Sequence, residues 1–274
     1  MMDSDAAAFR SFERQMHNRI ADSYADFLAP ITRHAIGPLL DAAGVRRGSR
    51  VLDVACGPGV LSGEAAARGA TVVGVDLSPV MLERAQRHHP MVDFREGDAE
   101  ALPFASASFD AVLCSFGLGH FPQPELALME FARVLVAGGI AALTWWRLPQ
   151  SRLNGAFFEA AREAGLAVPS GVPAGPPPDR FSDDKRLEEL LCSAGLSDVR
   201  VSTLSWQARI DSVGAWWDGG LGSMARVAAV IEGQPAEARR RTREAFDRLA
   251  RAYAVPGGFL VPLVASIASG VRPT

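Results

Sequence analysis

Short apolar runs and stretches of helical period alternate along this chain. Val51–Ala55 (VLDVA), Thr71–Val75 (TVVGV), Val92–Arg95, Phe109–Cys114 (FDAVLC) and Ile140–Thr144 have strand length. Leu126–Leu135 and the segment that opens near Pro79 carry helical patterns between them. Upstream, residues 5–44 read as helix, with Phe27, Leu28, Ile31, Ala35, Leu39 and Leu40 on one face and breaks near Pro30 and at Gly37-Pro38. Downstream, Asn154–Ala164 reads as a helix and the proline-rich 167–181 as a loop. Ser182 is the expected cap of a helix through Cys192. Val199–Ile210 is a long strand, 211–254 a helical insertion and Gly258–Ser269 the last strand.

A length of 274 residues, 48% of them hydrophobic, suits one large domain. Its expected parts are a helical cap at 1–44, a core at 45–145 and a second half at 146–274 that contains the 211–254 insertion. A formal net charge of −3 argues against a nucleic-acid surface. Interspersed acids make the arginines at 239–251 a solvated helix face. Cys56, Cys114 and Cys192 form no C-x-x-C pair, which fits a reducing compartment and no cysteine metal site. The start MMDSDAAAFRSF lacks the pattern of a secretion signal, and no apolar run approaches the ~20 residues of a membrane helix. A cytoplasmic protein without membrane insertion is therefore expected, as a monomer or a homodimer.

The chemistry centres on Arg50–Leu61, RVLDVACGPGVL. An apolar run that ends in Gly57-Pro58-Gly59 and continues as a helix is a strand–turn–helix unit able to hold a nucleotide. The spacing Gly57-x-Gly59-x-x-x-Gly63 fails the dinucleotide fingerprint. Asp53 inside the strand is costly unless something pairs with it, and it suits a positively charged amino group better than a pyrophosphate. Asp76, at the tip of the next strand, either accepts from ribose hydroxyls or caps the helix at Pro79, with Ser78 competing for the cap.

The strings V-L-D-x-x-C-G-x-G at 51–59 and G-D-A-E-x-L-P-F at 97–104 resemble the class I S-adenosylmethionine-dependent methyltransferases, in their bacterial small-molecule, quinone-biosynthesis-like branch. The resemblance implies a Rossmann-like α/β fold with a seven-stranded sheet whose last strand is antiparallel. It implies S-adenosylmethionine as cofactor, S-adenosylhomocysteine as product and in-line methyl transfer to a small-molecule acceptor: a phenol, an amine or an enolisable carbon. Asp53, Ala55, Gly57 and Gly59 would surround the methionine half. Asp76 would take the ribose, with Leu77 and Met81 beside it, and Met81 reads equally well as helix core. Asp98 and the Ala99 N–H would meet the adenine, with Glu100 in solvent. Tyr24 would close over the cofactor. Ser115, Phe116 and His120 would face the methyl, with His120 either a general base or a cofactor contact. The acid- or Asn-Pro-Pro-aromatic string of nucleic-acid amino-group methyltransferases is absent, and no metal is expected. Tyr24, Phe116, Trp146 and Trp216 are candidates for an acceptor pocket or for plain core. A regulator without turnover and a cyclase or decarboxylase on the same fold remain as alternatives.

Overall fold

Val51, Leu52, Asp53 and Val54 are all buried, which a strand achieves only with cover on both faces. A computed structural model describes residues 3–274 and places this strand, β1 (Arg50–Val54), near the middle of the sheet. Met1 and Met2, the start of the 1–44 segment, lie outside the described residues. The other strands are β2 (Thr71–Asp76), β3 (Asp93–Glu96), β4 (Phe109–Ser115), β5 (Leu135–Trp146), β6 (Ser197–Ile210), β7 (Ala254–Val255) and β8 (Gly258–Val271). Their order is β3-β2-β1-β4-β5-β8-β6, with the two-residue β7 paired to β8 alone. Pairing is parallel from β3 through β5, and β8 runs antiparallel between β5 and β6. The chain leaves β1 toward β2 on one side, and β4 lies on the other. The carboxyl ends of β1 and β4 therefore diverge into the crevice where open α/β sheets bind ligands.

The N-terminal helices are α1 (Asp3–Ser23), α2 (Ala29–Thr32) and α3 (Ile36–Ala42). A wider turn at Tyr24–Leu28 joins the first two. Pro30 does not break the helical path: Leu28 and Ala29 before it keep right-handed helical φ and ψ, and the wider Tyr24–Leu28 turn leads directly into α2. Helices α4 (Val60–Ala67), α5 (Pro79–His88) and α6 (Pro124–Val134) cross between the parallel strands. One face of the sheet packs on α3 and α4 through Leu39, Leu40, Leu61 and Ala65. The other packs on α6 and on α8 (Asp184–Ser193) through Leu128, Phe131, Leu187 and Leu191, while α7 (Arg152–Glu163) precedes α8 in the chain. The expected Ser182 cap is corrected. Asp183 immediately precedes α8, and its carboxylate accepts from Lys185 N at 2.9 Å and Arg186 N at 3.3 Å. Ser182 Oγ instead donates to Trp146 O and accepts from Leu148 N, tying this segment to the exit of β5.

The 211–254 segment forms α9 (Val213–Ser223), α10 (Ala225–Glu232) and α11 (Ala236–Ala250). They pack with α7 against the ends of β6 and β8 through Phe157, Trp216, Trp217, Phe246, Val261 and Leu263. Trp216 Nε1 donates to Leu153 O, and its ring meets Phe246 edge-on. Among the described residues, no helix is long and apolar enough to cross a membrane. Phe157 is fully buried, with ring centroids 4.5 Å from Phe246 and 5.5 Å from Trp217. Phe157→Ala is expected to cost about 3–5 kcal/mol, through lost transfer energy and the cavity left behind. Urea denaturation should show a lower midpoint with an unaltered slope, and an unchanged midpoint would mean that α7 does not anchor this layer.

Candidate cofactor and active site

The glycine turn is held from behind by the tip of β2. Gly57 N donates to Asp76 Oδ2 at 2.8 Å, and Cys56 N donates to Val75 O at 3.0 Å. The other Asp76 oxygen accepts from Ser78 N at 2.8 Å. Ser78, not Asp76, caps α5, its hydroxyl accepting from Met81 N. Gly59 precedes α4 at φ +82°, where an added Cβ would lie 2.9 Å from both Ala85 and Phe94. Gly57, at φ +52°, has open space where a side chain would stand. Ala55 and Phe116, each just past a strand end, also take left-handed φ, 56° and 59°. Such conformations cost about 1–3 kcal/mol each for residues other than glycine and persist only where neighbours over-determine them. For Phe116 these neighbours are Thr144, which accepts its N–H through both main-chain and side-chain oxygens, and Trp146, stacked on its ring at 4.1 Å.

A cleft of about 770 Å³, part of it open solvent, lies over these strand ends. Of the residues expected at the site, Tyr24, Ala55, Gly57, Asp76, Leu77, Met81, Asp98, Ala99, Ser115, Phe116 and His120 line it. Met81 is also core, 1% exposed and grouped with Ile20, Ala21 and Ala225. Asp53 lines a smaller adjoining pocket with Tyr24, Ala55, Gly57 and Ser115. Gly59 lines neither. Trp216 lies in the C-terminal helical layer, away from the cleft, while Trp146 backs Phe116.

Helix α1 crosses this cleft and brings four residues that no sequence motif singled out: Arg10, Glu13, Arg14 and His17. Arg10 lies 2.6 Å from Asp98 and 2.7 Å from Glu100, Arg14 lies 2.7 Å from Glu96, and Ser78 Oγ donates to Asn18 at 2.7 Å. The expected solvated Glu100 is thereby corrected. Its side chain is 4% exposed because Arg10 and the Gln123 N–H enclose it. Glu13 Oε2 lies 2.9 Å from His120 Nδ1 and 3.4 Å from His17 Nδ1, and His17 Nδ1 is 2.8 Å from the Glu13 main-chain oxygen. One ligand atom each from Glu13, His17 and His120 falls within 4.8 Å of the others, a set whose hydrogen bonds already join all three without an ion. A sequence signal for these residues exists. Ala6, Phe9, Glu13, Ile20 and Ala21 are buried along α1, so an acid occupies an otherwise apolar stripe.

Burial acts to raise the Glu13 carboxyl, but His120 beside it, with His17 and Arg226, holds it below the ordinary carboxylate range. Burial and His120 together hold the His17 imidazole below its ordinary value, against the pull of Glu13 and Asp76. Burial, aided by the Asp76 charge, pushes the Tyr24 phenol up to about 12, so it stays protonated. Asp53 is 1% exposed; Oδ2 accepts from Ser62 Oγ at 2.6 Å, and Oδ1 has no partner. Burial, opposed by Ser62 and aided by Asp76, pushes its carboxyl up to about 7.

A family model described as a methyltransferase domain matches residues 52–143. An uncharacterised protein of Mycobacterium tuberculosis is 40% identical over 154 residues, 54% of this chain and 53% of that protein. This chain thus spans about half the length of that relative. A demethylmenaquinone methyltransferase of Paenarthrobacter aurescens is 35% identical over 176 residues, 61% of this chain and 70% of that enzyme. In fold, the crystal structure of the YcgJ protein from Bacillus subtilis matches with a TM-score of 0.59 at 22% identity, over 88% of this chain and 99% of that one. The chain belongs to the class I S-adenosylmethionine-dependent methyltransferases. The residues present fit that cofactor: open space against the Gly57 turn, an unpartnered carboxylate oxygen on Asp53 in the adjoining pocket, and two further carboxylates, Asp76 and Asp98, lining the cleft.

The Asp53 carboxyl also carries a pH signature. Its folded pKa lies above the unfolded value near 3.8, so the folded state holds the proton longer. This contribution to stability is present below about pH 4 and is lost as pH rises to about 7. Asp53→Asn keeps an acceptor for Ser62 and cannot ionise. In chemical denaturation without cofactor, its stability relative to wild type should rise between pH 4 and 7 by up to about 4 kcal/mol. A difference independent of pH would show that Asp53 ionises normally.

Proposed function

We propose that this chain transfers the methyl group of S-adenosylmethionine to a small-molecule acceptor. The observation that carries the reading is the convergence on one cleft of the Gly57 turn, Asp76, Asp98 and the Ser115–His120 segment. Asp76 would accept from the ribose hydroxyls with the lone pairs that Gly57 N and Ser78 N leave free. Asp98 and the Ala99 N–H would meet the adenine, with Leu77 and Met81 alongside. Asp53 Oδ1, Ala55 and Gly57 would receive the methionine end, and Tyr24, Ser115 and Phe116 would flank it. When bound, the cofactor supplies an activated sulfonium methyl carbon.

The protein's share is orientation and exclusion of water. Holding two reactants aligned contributes up to about 7–11 kcal/mol in favourable cases. Helix α1 covers the cleft, and Phe116 on Trp146 gives it an aromatic wall suited to a planar apolar acceptor. In this reading residues 1–44 are the cover, 45–145 the cofactor-binding core and 146–274 the acceptor-side half, with 211–254 inserted. The relatives named as demethylmenaquinone methyltransferases make quinol rings the first acceptors to test.

Incubation with S-adenosylmethionine and a panel of quinols, phenols and amines should yield a product heavier by one methyl group. Absence of any methylated product across the panel, with cofactor binding intact, would remove the reading. Asp76→Ala should weaken cofactor binding by about 2–4 kcal/mol in calorimetry, since hydrogen bonds to a charged acceptor are worth about 1.5–3 kcal/mol each. Asp98→Ala should weaken it less, because Arg10 already shares that carboxylate. The same variant should narrow the preference for adenine over hypoxanthine analogues. An unchanged affinity in Asp76→Ala, or an unchanged preference in Asp98→Ala, would take that residue out of the site.

A further inference from the structure

We propose that Glu13 and His120 act as a pair in which His120 Nε2 is the general base, Glu13 is the residue that positions it, and the acceptor carries an ionisable hydroxyl. The inference rests on the methyl-transfer reading above and adds to it the class of acceptor and a residue from outside the family motifs. His120 lines the cleft just past the end of β4, 37% exposed. Its Nδ1 lies 2.9 Å from Glu13 Oε2. An ionised carboxylate only accepts, so Nδ1 carries the hydrogen and the lone pair stands on Nε2. Nε2 makes no hydrogen bond among the described residues. The tautomer is thus set by a buried group on a different element, 107 positions away in the chain.

The surroundings favour that division of labour. Glu13 is 2% exposed, and a carboxylate so placed is costly unless it is paired. The groups around the pair are His17, Arg10 and Arg14 on α1, Arg226 on α10, Asp76 at the tip of β2 and Asp98 after β3. His17 also lines the cleft, but its Nδ1 is held by the neutral Glu13 main-chain oxygen and stands 3.4 Å from the carboxylate, against 2.9 Å for His120. In the transfer step the acceptor's O–H proton passes to His120 Nε2. The oxygen lone pair forms the new O–CH₃ bond, and the electron pair of the breaking C–S bond stays on sulfur. The imidazolium formed on His120 then faces the Glu13 carboxylate, so the pair becomes neutral as the proton arrives. An amine that is already a free nucleophile gains nothing from this arrangement. Because Glu13 belongs to α1, the base is complete only while α1 lies across the cleft.

The test compares Glu13→Gln, Glu13→Asp and His120→Ala in the full chain with wild type. His120→Ala should lower turnover of a phenolic or quinol acceptor by ~10²–10⁴ with cofactor affinity nearly intact. Glu13→Gln should lower turnover with KM and cofactor affinity nearly unchanged, because the imidazolium formed in the step then lacks its facing charge. Glu13→Asp keeps the charge and should recover much of the turnover, which separates loss of charge from misfolding. Nitrogen-15 NMR of the His120 ring, which needs no acceptor, should report the Nδ1–H tautomer in wild type. Wild-type turnover in Glu13→Gln, or an Nε2–H tautomer in wild type, would overturn the pairing while leaving methyl transfer intact. Wild-type turnover and pH dependence in His120→Ala would overturn the base. A wild-type chain that methylates only amines would overturn the acceptor class.

Discussion

The Asp76 carboxylate joins the two loops from which the site is built. One oxygen takes the N–H of Gly57 in the turn after β1, and the other takes the N–H of Ser78 at the start of α5. Both donors are backbone groups at chain reversals, where a lost partner costs the full desolvation of the N–H. The charge reaches further than the bonds. It contributes to the raised pKa of Asp53, Tyr24 and Cys56, groups buried along the same strand ends. A bound group with a positive amino end would relieve that accumulation of negative potential.

Helix α1 answers the same potential from above. Arg10 and Arg14 meet Asp98, Glu100 and Glu96, and Arg84 on α5 meets Asp22. Partly exposed pairs of this kind are worth about 0–1 kcal/mol each, so they guide the helix more than they fix it. The firm anchors are Phe9, Ile20 and Ala21, buried on either side of the cleft. A cover pinned apolar at two points, with polar groups between them, keeps its charged residues over the cleft and its apolar ones in the core.

What the sequence made legible was local. The Gly57 turn, the Asp76 tip and the 97–104 loop each lie within one βα unit, so spacing alone places them, and the resemblance carried by those strings implied the parallel sheet and its antiparallel last strand. What escaped depends on chain segments that meet only in three dimensions. Glu100 looked solvated because its partners, Arg10 and the Gln123 N–H, are 90 and 23 positions away. Trp216 looked available to an acceptor because Leu153, which takes its N–H, belongs to another helix. The cap of α8 was missed for a smaller reason. Ser182 and Asp183 are adjacent cap formers, and the pull of β5 on Ser182 decides between them.

Glu13 shows most directly how a local rule fails where function intrudes. The stripe Ala6, Phe9, Glu13, Ile20, Ala21 asks for an apolar residue at its third position. Replacing a buried ion pair with hydrophobic residues of similar volume is often neutral or stabilising, so stability does not demand a carboxylate there. The position is one where the helix looks both into the core and onto the cleft, and the second view decides the residue. The same constraint explains His17 one turn later, half-buried and hydrogen-bonded to the main-chain oxygen of Glu13 rather than to a group across the cleft. It fills space beside His120, with ring centroids 4.7 Å apart and edge to face, and its Nδ1 stands 3.4 Å from the carboxylate that His120 meets at 2.9 Å. One turn of α1 thus carries a buried acid paired with His120 and an imidazole held by the main chain beside it.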